Sequence, residues 1–235
     1  MTMANSVLCV RWTKCSTLVN NCLHIAIKKR DMMKSTCYII GAGEYFDSPS
    51  PKKNDLVICA DGGYTSAISH GVRCDLLIGD LDSLEEAPVG VELLRHPVEK
   101  NDTDTRLAYL EGLARGYRNF AIYGGTGGSL DHTLANLSLL CEIAEGGCGA
   151  MLYGDGYVIE SLHNGSCIFS GAPPRRVSIF AFGGAAFGVS IKGLKYEADN
   201  ITLSPSYALG VSNSFVGKEV QISVKDGTLL IFREV

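Results

Sequence analysis

From Cys37 to about Tyr153 short apolar runs alternate with helical patterns. "CYIIG", "LVICA", "LLIG", "FAIYG" and "AMLYG" are apolar throughout rather than alternating, which is the pattern of strands buried on both faces, and each leads towards Gly or Asp. Between them, "TDTRLAYLEGLARGY" sets Leu107, Leu110 and Ala114 at helical spacing, opens on a capping Thr or Asp and stops at Gly116. "SLDHTLANLSLLCEIAEGG" repeats the scheme, with Leu130, Leu134, Leu137 and Cys141 on one stripe. Strands alternating with helices predict a mostly parallel, Rossmann-like α/β sheet covered by helices. After about residue 155 the rhythm changes. "RRVSIFAF", "AAFGVSIKG", "KEVQISV" and "TLLIFREV" are short and β-branched, with Gly-rich turns between them, and "KDGT" at 225–228 carries a hairpin signal. The pattern predicts a C-terminal all-β, sandwich-like domain, so that 34–155 form the α/β domain and 156–235 the β domain.

Residues 1–33 fit neither pattern. They carry three cysteines and several basic residues without the ordered zones of a secretory signal, and Met32 and Met33 stand just before the first strand. The expectation is a poorly ordered leader, with the folded protein starting near Met33.

Composition narrows the classes. With 21 Lys plus Arg against 25 Asp plus Glu, the net charge of −4 argues against a general nucleic-acid binder. No apolar run approaches the roughly 20 residues that span a bilayer. Nine cysteines without CxxC pairs, several within apolar runs, read as free buried thiols of a cytoplasmic protein.

The chemistry gathers where strands end, the edge at which open parallel sheets bind ligands. "LVICADGG" ends in Asp61, Gly62 and Gly63; "LLIGDLDS" ends in Asp80 and Asp82; "EKNDTDT" sets Asp102 and Asp104 at a helix start; "GGTGGSLDH" ends in Asp131 and His132. Seven of the thirteen aspartates lie between 61 and 131, where structural caps would scatter them. In an extended chain residues i and i+2 share a face, so Asp80 and Asp82 bring two like charges together, and a hard divalent cation such as Mg²⁺ relieves the repulsion. A helix cap at Asp80 with a solvated Asp82 explains that stretch alone equally well. The glycines of "GAGE" (Gly41, Gly43) and "GGTGG" (Gly125, Gly128) allow backbone N–H groups to approach phosphate oxygens.

In order and at similar spacing, "ICADGGYTSAISHG", "CDLLIGDLDS", "EKNDTDTRLAYLEGL", "IYGGTGGSLDHTLANLSLL" and "GLKYEADNITLSPSYALGVSNSF" resemble the thiamine pyrophosphokinase family, over roughly residues 37–235. The resemblance implies transfer of pyrophosphate from ATP to the hydroxyl of thiamine, giving thiamine diphosphate and AMP. It implies Asp80, Asp82 and Asp104 as Mg²⁺ ligands, with Asp61 and Asp102 as their partners or as base for the hydroxyl. Lys100 and Arg106 become candidate phosphate contacts beside the nucleotide-side glycines Gly41, Gly43, Gly62, Gly63, Gly125 and Gly128. Asp131, His132, Ser212 and Asn213 become substrate contacts. A homodimer with its active site between subunits is also implied. Two features depart from the family: Ser129 stands where an Arg is usual, and the late strand "GTLLIFREV" lacks the tryptophan that animal and yeast members stack on thiamine, leaving Phe215, Ile231 or Phe232 as substitutes. Two rivals remain at this point, a pyrophosphokinase of the same fold acting on another alcohol such as a hydroxymethylpterin, and a Mg²⁺-nucleotide-binding module without turnover.

Overall fold

The computed structural model describes residues 13–14, 35–44, 48–80, 88–95, 102–170, 175–217 and 219–235. Over these the fold is mixed α/β, with three helices and thirteen strands. It divides into an α/β unit ending at Glu160 and a β unit running from Ser161 to Val235. Strand β1 (Thr13–Lys14) pairs antiparallel with Gly165 and Ser166. The other residues of 1–33 lie outside the described residues.

In the α/β unit β2 (Cys37–Ile40), β3 (Leu56–Ala60), β4 (Leu76–Gly79), β5 (Glu92–Arg95), β6 (Asn119–Tyr123) and β7 (Gly149–Gly154) are all parallel to their neighbours, in the order β5-β4-β3-β2-β6-β7. The first residues of β8 (Tyr157–Phe169) add to β7 antiparallel. Every residue of β3 and β4 is buried, which is why these runs are apolar without alternation. Helices α1 (Gly63–Ser69), α2 (Asp104–Ala114) and α3 (Leu130–Glu145) each return the chain from the carboxyl edge of the sheet.

Both long helices bury a face other than the one their leucines suggest. In α2 the buried residues are Ala108, Tyr109 and Gly112, while Ala114 is exposed. Small residues at i and i+4 let the helix lie close on the sheet: a Cβ on Gly112 would stand 2.8 Å from the Cys37 sulfur and 2.9 Å from the Phe120 ring. In α3 Leu130 and Leu134 are exposed, and burial begins at Asn136 and continues through Leu139, Leu140 and Ile143. A 16-residue helix is about 24 Å long against about 17 Å for a five-residue strand, so its first turns overhang the sheet.

The β unit holds β9 (Arg176–Ala181), β10 (Ala186–Lys192), β11 (Ala198–Leu203), β12 (Asn213–Ser214) and β13 (Val220–Glu234), all paired antiparallel. Its core is Val, Ile and Leu from β9, β10 and β13, closed by Phe169 and Phe215 packed edge to face. "KDGT" is not a hairpin. The strand β13 runs straight through it, pairing with β10 before Gly227 and with β9 after. Gly227, at φ +111°, is needed because a Cβ there would stand 2.8 Å from the Ala185 carbonyl oxygen, and Asn164 receives its N–H at 2.8 Å.

Candidate active site

The strand order reverses between β2 and β6, which makes the gap between their carboxyl ends the topological switch point of the sheet. The two Gly-rich loops meet there by backbone alone. Gly41 N–H donates to the Tyr123 carbonyl at 2.8 Å, Gly43 N–H to that of Gly124 at 2.8 Å, and Glu44 N–H to that of Thr126 at 2.9 Å. A Cβ on Gly43 would come within 2.5 Å of both the Gly124 and Thr126 oxygens, so close loop approach accounts for this glycine. The donors of Gly41 and Gly43 are therefore spent on protein carbonyls rather than turned outward. The loop after β6 is held from behind by Asn136, a buried polar residue in the apolar stretch of α3, whose amide donates to the Gly125 carbonyl at 2.9 Å. Its interruption of "TLANLSLL" was the available signal for it. Gly125 is walled in by Leu152 and Asn136, whereas Gly128 has only the Gly43 Cα near it, at 3.9 Å.

Asp61 and Asp80 end the adjacent strands β3 and β4. Asp61 adopts φ +47°, a left-handed backbone that costs a non-glycine residue about 1 kcal/mol or more, and it is held there by its N–H to Ile78 at 2.7 Å and by Tyr64 N–H to its carbonyl at 3.1 Å. Gly79 lies against it, so both half-buried carboxylates rise from one fixed corner. Gly62 caps α1, and Gly63 seats that helix on the end of β2. By contrast, Asp75 lies at the amino end of β4 and is structural: its carboxylate accepts Val57 N–H at 2.8 Å and Arg73 Nε at 3.1 Å.

On the next segment Thr103 caps α2 through its hydroxyl, which accepts Arg106 N–H at 3.2 Å, and Asp104 opens the helix. Arg106 is engaged with carboxylates: Nε and Nη2 donate to Glu142 at 2.8 Å each, and Nη1 to Asp102 at 2.6 Å. Glu142 first and Asp102 second push the guanidinium pKa above its ordinary value. Nothing in the sequence pattern pointed to Glu142, which stands 36 residues away. Asp82 and Lys100 lie outside the described residues. Asp61, Asp80, Asp102 and Asp104 present oxygen donors alone, which suits a hard divalent cation. Among the described residues no three metal-binding side chains gather about one point.

Asp131 and His132 are exposed on the first turn of α3. The Ser129 hydroxyl, and after it the His132 N–H at 3.0 Å, hold the Asp131 carboxyl below its ordinary range. A depressed folded-state pKa favours the ionised form, so its contribution is present at neutral pH and is lost as pH falls through the lowered value. Ser129→Ala is expected to move the Asp131 midpoint up towards the ordinary carboxylate range in a ¹³C NMR titration. An unmoved midpoint would remove Ser129 as the cause.

In the β unit Ser212 has φ +59° and is exposed, its N–H held by the Ser178 hydroxyl at 3.0 Å. Asn213 is buried, and its amide is consumed by neighbouring backbone: Oδ1 accepts the N–H groups of Tyr196 and Ser214 at 2.9 Å each, and the amide nitrogen donates to the Tyr196 carbonyl at 2.7 Å. Asn213 therefore shapes this surface, and the exposed ring of Tyr196 stands on it. Of the three proposed tryptophan substitutes, Phe215 and Ile231 are buried in the core, and Phe232 packs edge-on against Phe180 at 5.4 Å. The cysteines at 37, 59, 74, 141, 148 and 167 are buried and form no disulfide; burial pushes the Cys141 thiol up to about 12. No helix among the described residues is long and apolar enough to cross a membrane.

A parallel sheet with carboxylates on its carboxyl edge, followed by an all-β unit, defines a two-part protein of the mixed α/β class. The chain belongs to the thiamin pyrophosphokinase family. Residues 50–152 match the thiamin pyrophosphokinase catalytic domain, and residues 171–229 match the thiamin pyrophosphokinase vitamin B1 binding domain. The chain is 25% identical over 188 residues to thiamine pyrophosphokinase of Bacillus subtilis, covering 77% of this chain and 88% of the relative. The crystal structure of thiamine pyrophosphokinase from Bacillus subtilis superposes with a TM-score of 0.77 at 23% identity, over 86% of this chain and 99% of that one. Yeast thiamin pyrophosphokinase gives 0.67 at 19% identity, over 86% of each chain.

Proposed function

We propose that this chain transfers the pyrophosphoryl group of ATP to the primary hydroxyl of thiamine, giving thiamine diphosphate and AMP. The observation that carries this reading is how the two family matches fall on the chain. The catalytic match covers the strand ends that carry Asp61 and Asp80 and the helix start that carries Asp104, and the vitamin B1 match covers Ser212 and Asn213. In this reading 34–155 form a Rossmann-like domain for ATP and Mg²⁺, and 156–235 a β-sandwich for thiamine. The functional unit is a homodimer, and buried thiols that form no disulfide suit the cytoplasm.

The thiamine oxygen attacks the β-phosphorus in line; the new O–P bond forms as the bond from the β-phosphorus to the AMP oxygen breaks. Asp61 or Asp102 accepts the hydroxyl proton, which raises the nucleophilicity of the oxygen as it approaches. Asp80, Asp82 and Asp104 would hold Mg²⁺, which when bound offsets charge on the phosphate oxygens. Ser212, held in its left-handed turn, presents a hydroxyl to the acceptor. Arg106, already neutralised by two carboxylates, orders the edge instead of meeting phosphate.

The test is turnover of purified protein with ATP, Mg²⁺ and thiamine, reading both products. AMP and thiamine diphosphate in equal amounts are expected. AMP without thiamine diphosphate would move the acceptor to another alcohol, and intact ATP would sink the enzyme reading.

A further inference from the structure

We propose that Glu142 is a positioning residue for pyrophosphoryl transfer, acting through Arg106 to set the Asp102 carboxylate; this rests on the function proposed above. A guanidinium is a planar fork, and two parallel bonds to one carboxylate fix both its place and its plane. Glu142 supplies that pair of bonds, at 2.8 Å each, from the last turn of α3. Once the plane is set, the directions of the two Nη1 N–H bonds are fixed with it, and Nη1 donates to Asp102 Oδ1 at 2.6 Å. The same arginine's backbone N–H is taken by Thr103, so both ends of Arg106 tie the Asp102–Thr103 segment to the start of α2.

Magnitudes separate this role from a structural one. The three side chains are 34–40% exposed and border an open cavity of about 230 Å³ that also reaches Ser138. Half-exposed ion pairs of this kind add little to stability. What the arrangement supplies is direction: a carboxylate two residues before Asp104 is anchored to a helix outside its own segment. Loss of a partner that orients a catalytic carboxylate typically costs 10- to 100-fold in metal affinity or activity.

The experiment uses Glu142→Gln, which keeps the shape but loses the doubly accepting carboxylate, and Arg106→Lys, which keeps the charge but loses the fork. In both, kcat is expected to fall about tenfold with the thiamine KM within about twofold of wild type. Mn²⁺ affinity with a non-hydrolysable ATP analogue, read by EPR without turnover, should weaken several-fold. The double variant should be no worse than Arg106→Lys alone, because Glu142 acts only through Arg106. Wild-type kcat and Mn²⁺ affinity in Glu142→Gln, or losses that multiply in the double variant, would overturn the proposal. If the wild type makes no thiamine diphosphate, the proposed function fails by itself, and the Mn²⁺ titration still decides: weaker binding in both variants supports the positioning role, and unchanged binding overturns it.

Discussion

Asp80→Asn is expected to lower turnover by about two orders of magnitude or more, equivalent to about 2.7 kcal/mol of lost transition-state stabilisation, while the protein stays folded. Asp80 follows β4, whose four residues are buried and whose neighbours β3 and β5 flank it in parallel register. The strand end is therefore rigid, and substitution changes the charge at a fixed place without loosening the core. Asparagine matches aspartate in size, so the half-buried position is not overpacked. What is lost is a full negative charge at the corner shared with Asp61. If Asp80 binds Mg²⁺, the variant should also need a higher Mg²⁺ concentration for half-maximal rate. The check is AMP and thiamine diphosphate formation across a Mg²⁺ series, beside a thermal melt. Activity within twofold of wild type at all concentrations would take Asp80 out of the metal-binding set.

That corner was legible in the sequence because it follows from local rules. Apolar runs without alternation are strands buried on both faces, and a parallel sheet places whatever follows them on one edge. Asp61, Asp80, Asp104 and the glycine loops could be read in that way. Burial on the helices could not, since leucine spacing says which residues share a stripe but not where the sheet ends. Leu130 and Leu134 share the stripe of Cys141 and yet overhang the sheet. Gly112 carries no hydrophobic signal, although the seat of α2 depends on it. In the β unit the Asp-Gly of "KDGT" is a turn signal by composition, but Ala185 and Asn164, distant in sequence, hold it within one continuous strand. The interior of β8 hid its strand nature behind Glu160, Ser161 and His163. The resemblance makes Asn213 a substrate contact, and nothing local shows that its amide is closed on the backbone of Tyr196 and Ser214. Arg106 likewise becomes a candidate phosphate contact by the resemblance, while its carboxylate partner Glu142 arrives from another helix. Partners brought together by tertiary packing leave no trace in local pattern.

Gly63→Ala is expected to destabilise the α/β unit by about 2–4 kcal/mol, against the ordinary preference of helices for alanine. At a helix position alanine gains up to about 1 kcal/mol over glycine. Here a Cβ would overlap the carbonyl oxygen of Ile40 and stand 2.7 Å from its carbon and 3.0 Å from that of Gly41. These are backbone atoms, so no rotamer change relieves the contact. Nor can β2 yield, because Ile40 is in register with Cys59 on one side and Tyr123 on the other. The helix must move instead, which unseats the buried Ala67 and pulls Tyr64 N–H away from the Asp61 carbonyl. Overpacking of this kind costs about 1–3 kcal/mol before the loss of those contacts, so the clash outweighs the propensity gain. The melting temperature should fall by roughly 5–15 °C. Turnover should also drop below the denaturation range, because the left-handed backbone of Asp61 loses one of its two restraints. Gly184→Ala is the control: no atom lies near its would-be Cβ, and its stability should stay within about 0.5 kcal/mol of wild type. A Gly63→Ala protein as stable as the control would mean that α1 is not seated on the end of β2, and the rigid corner that carries Asp61 would need another explanation.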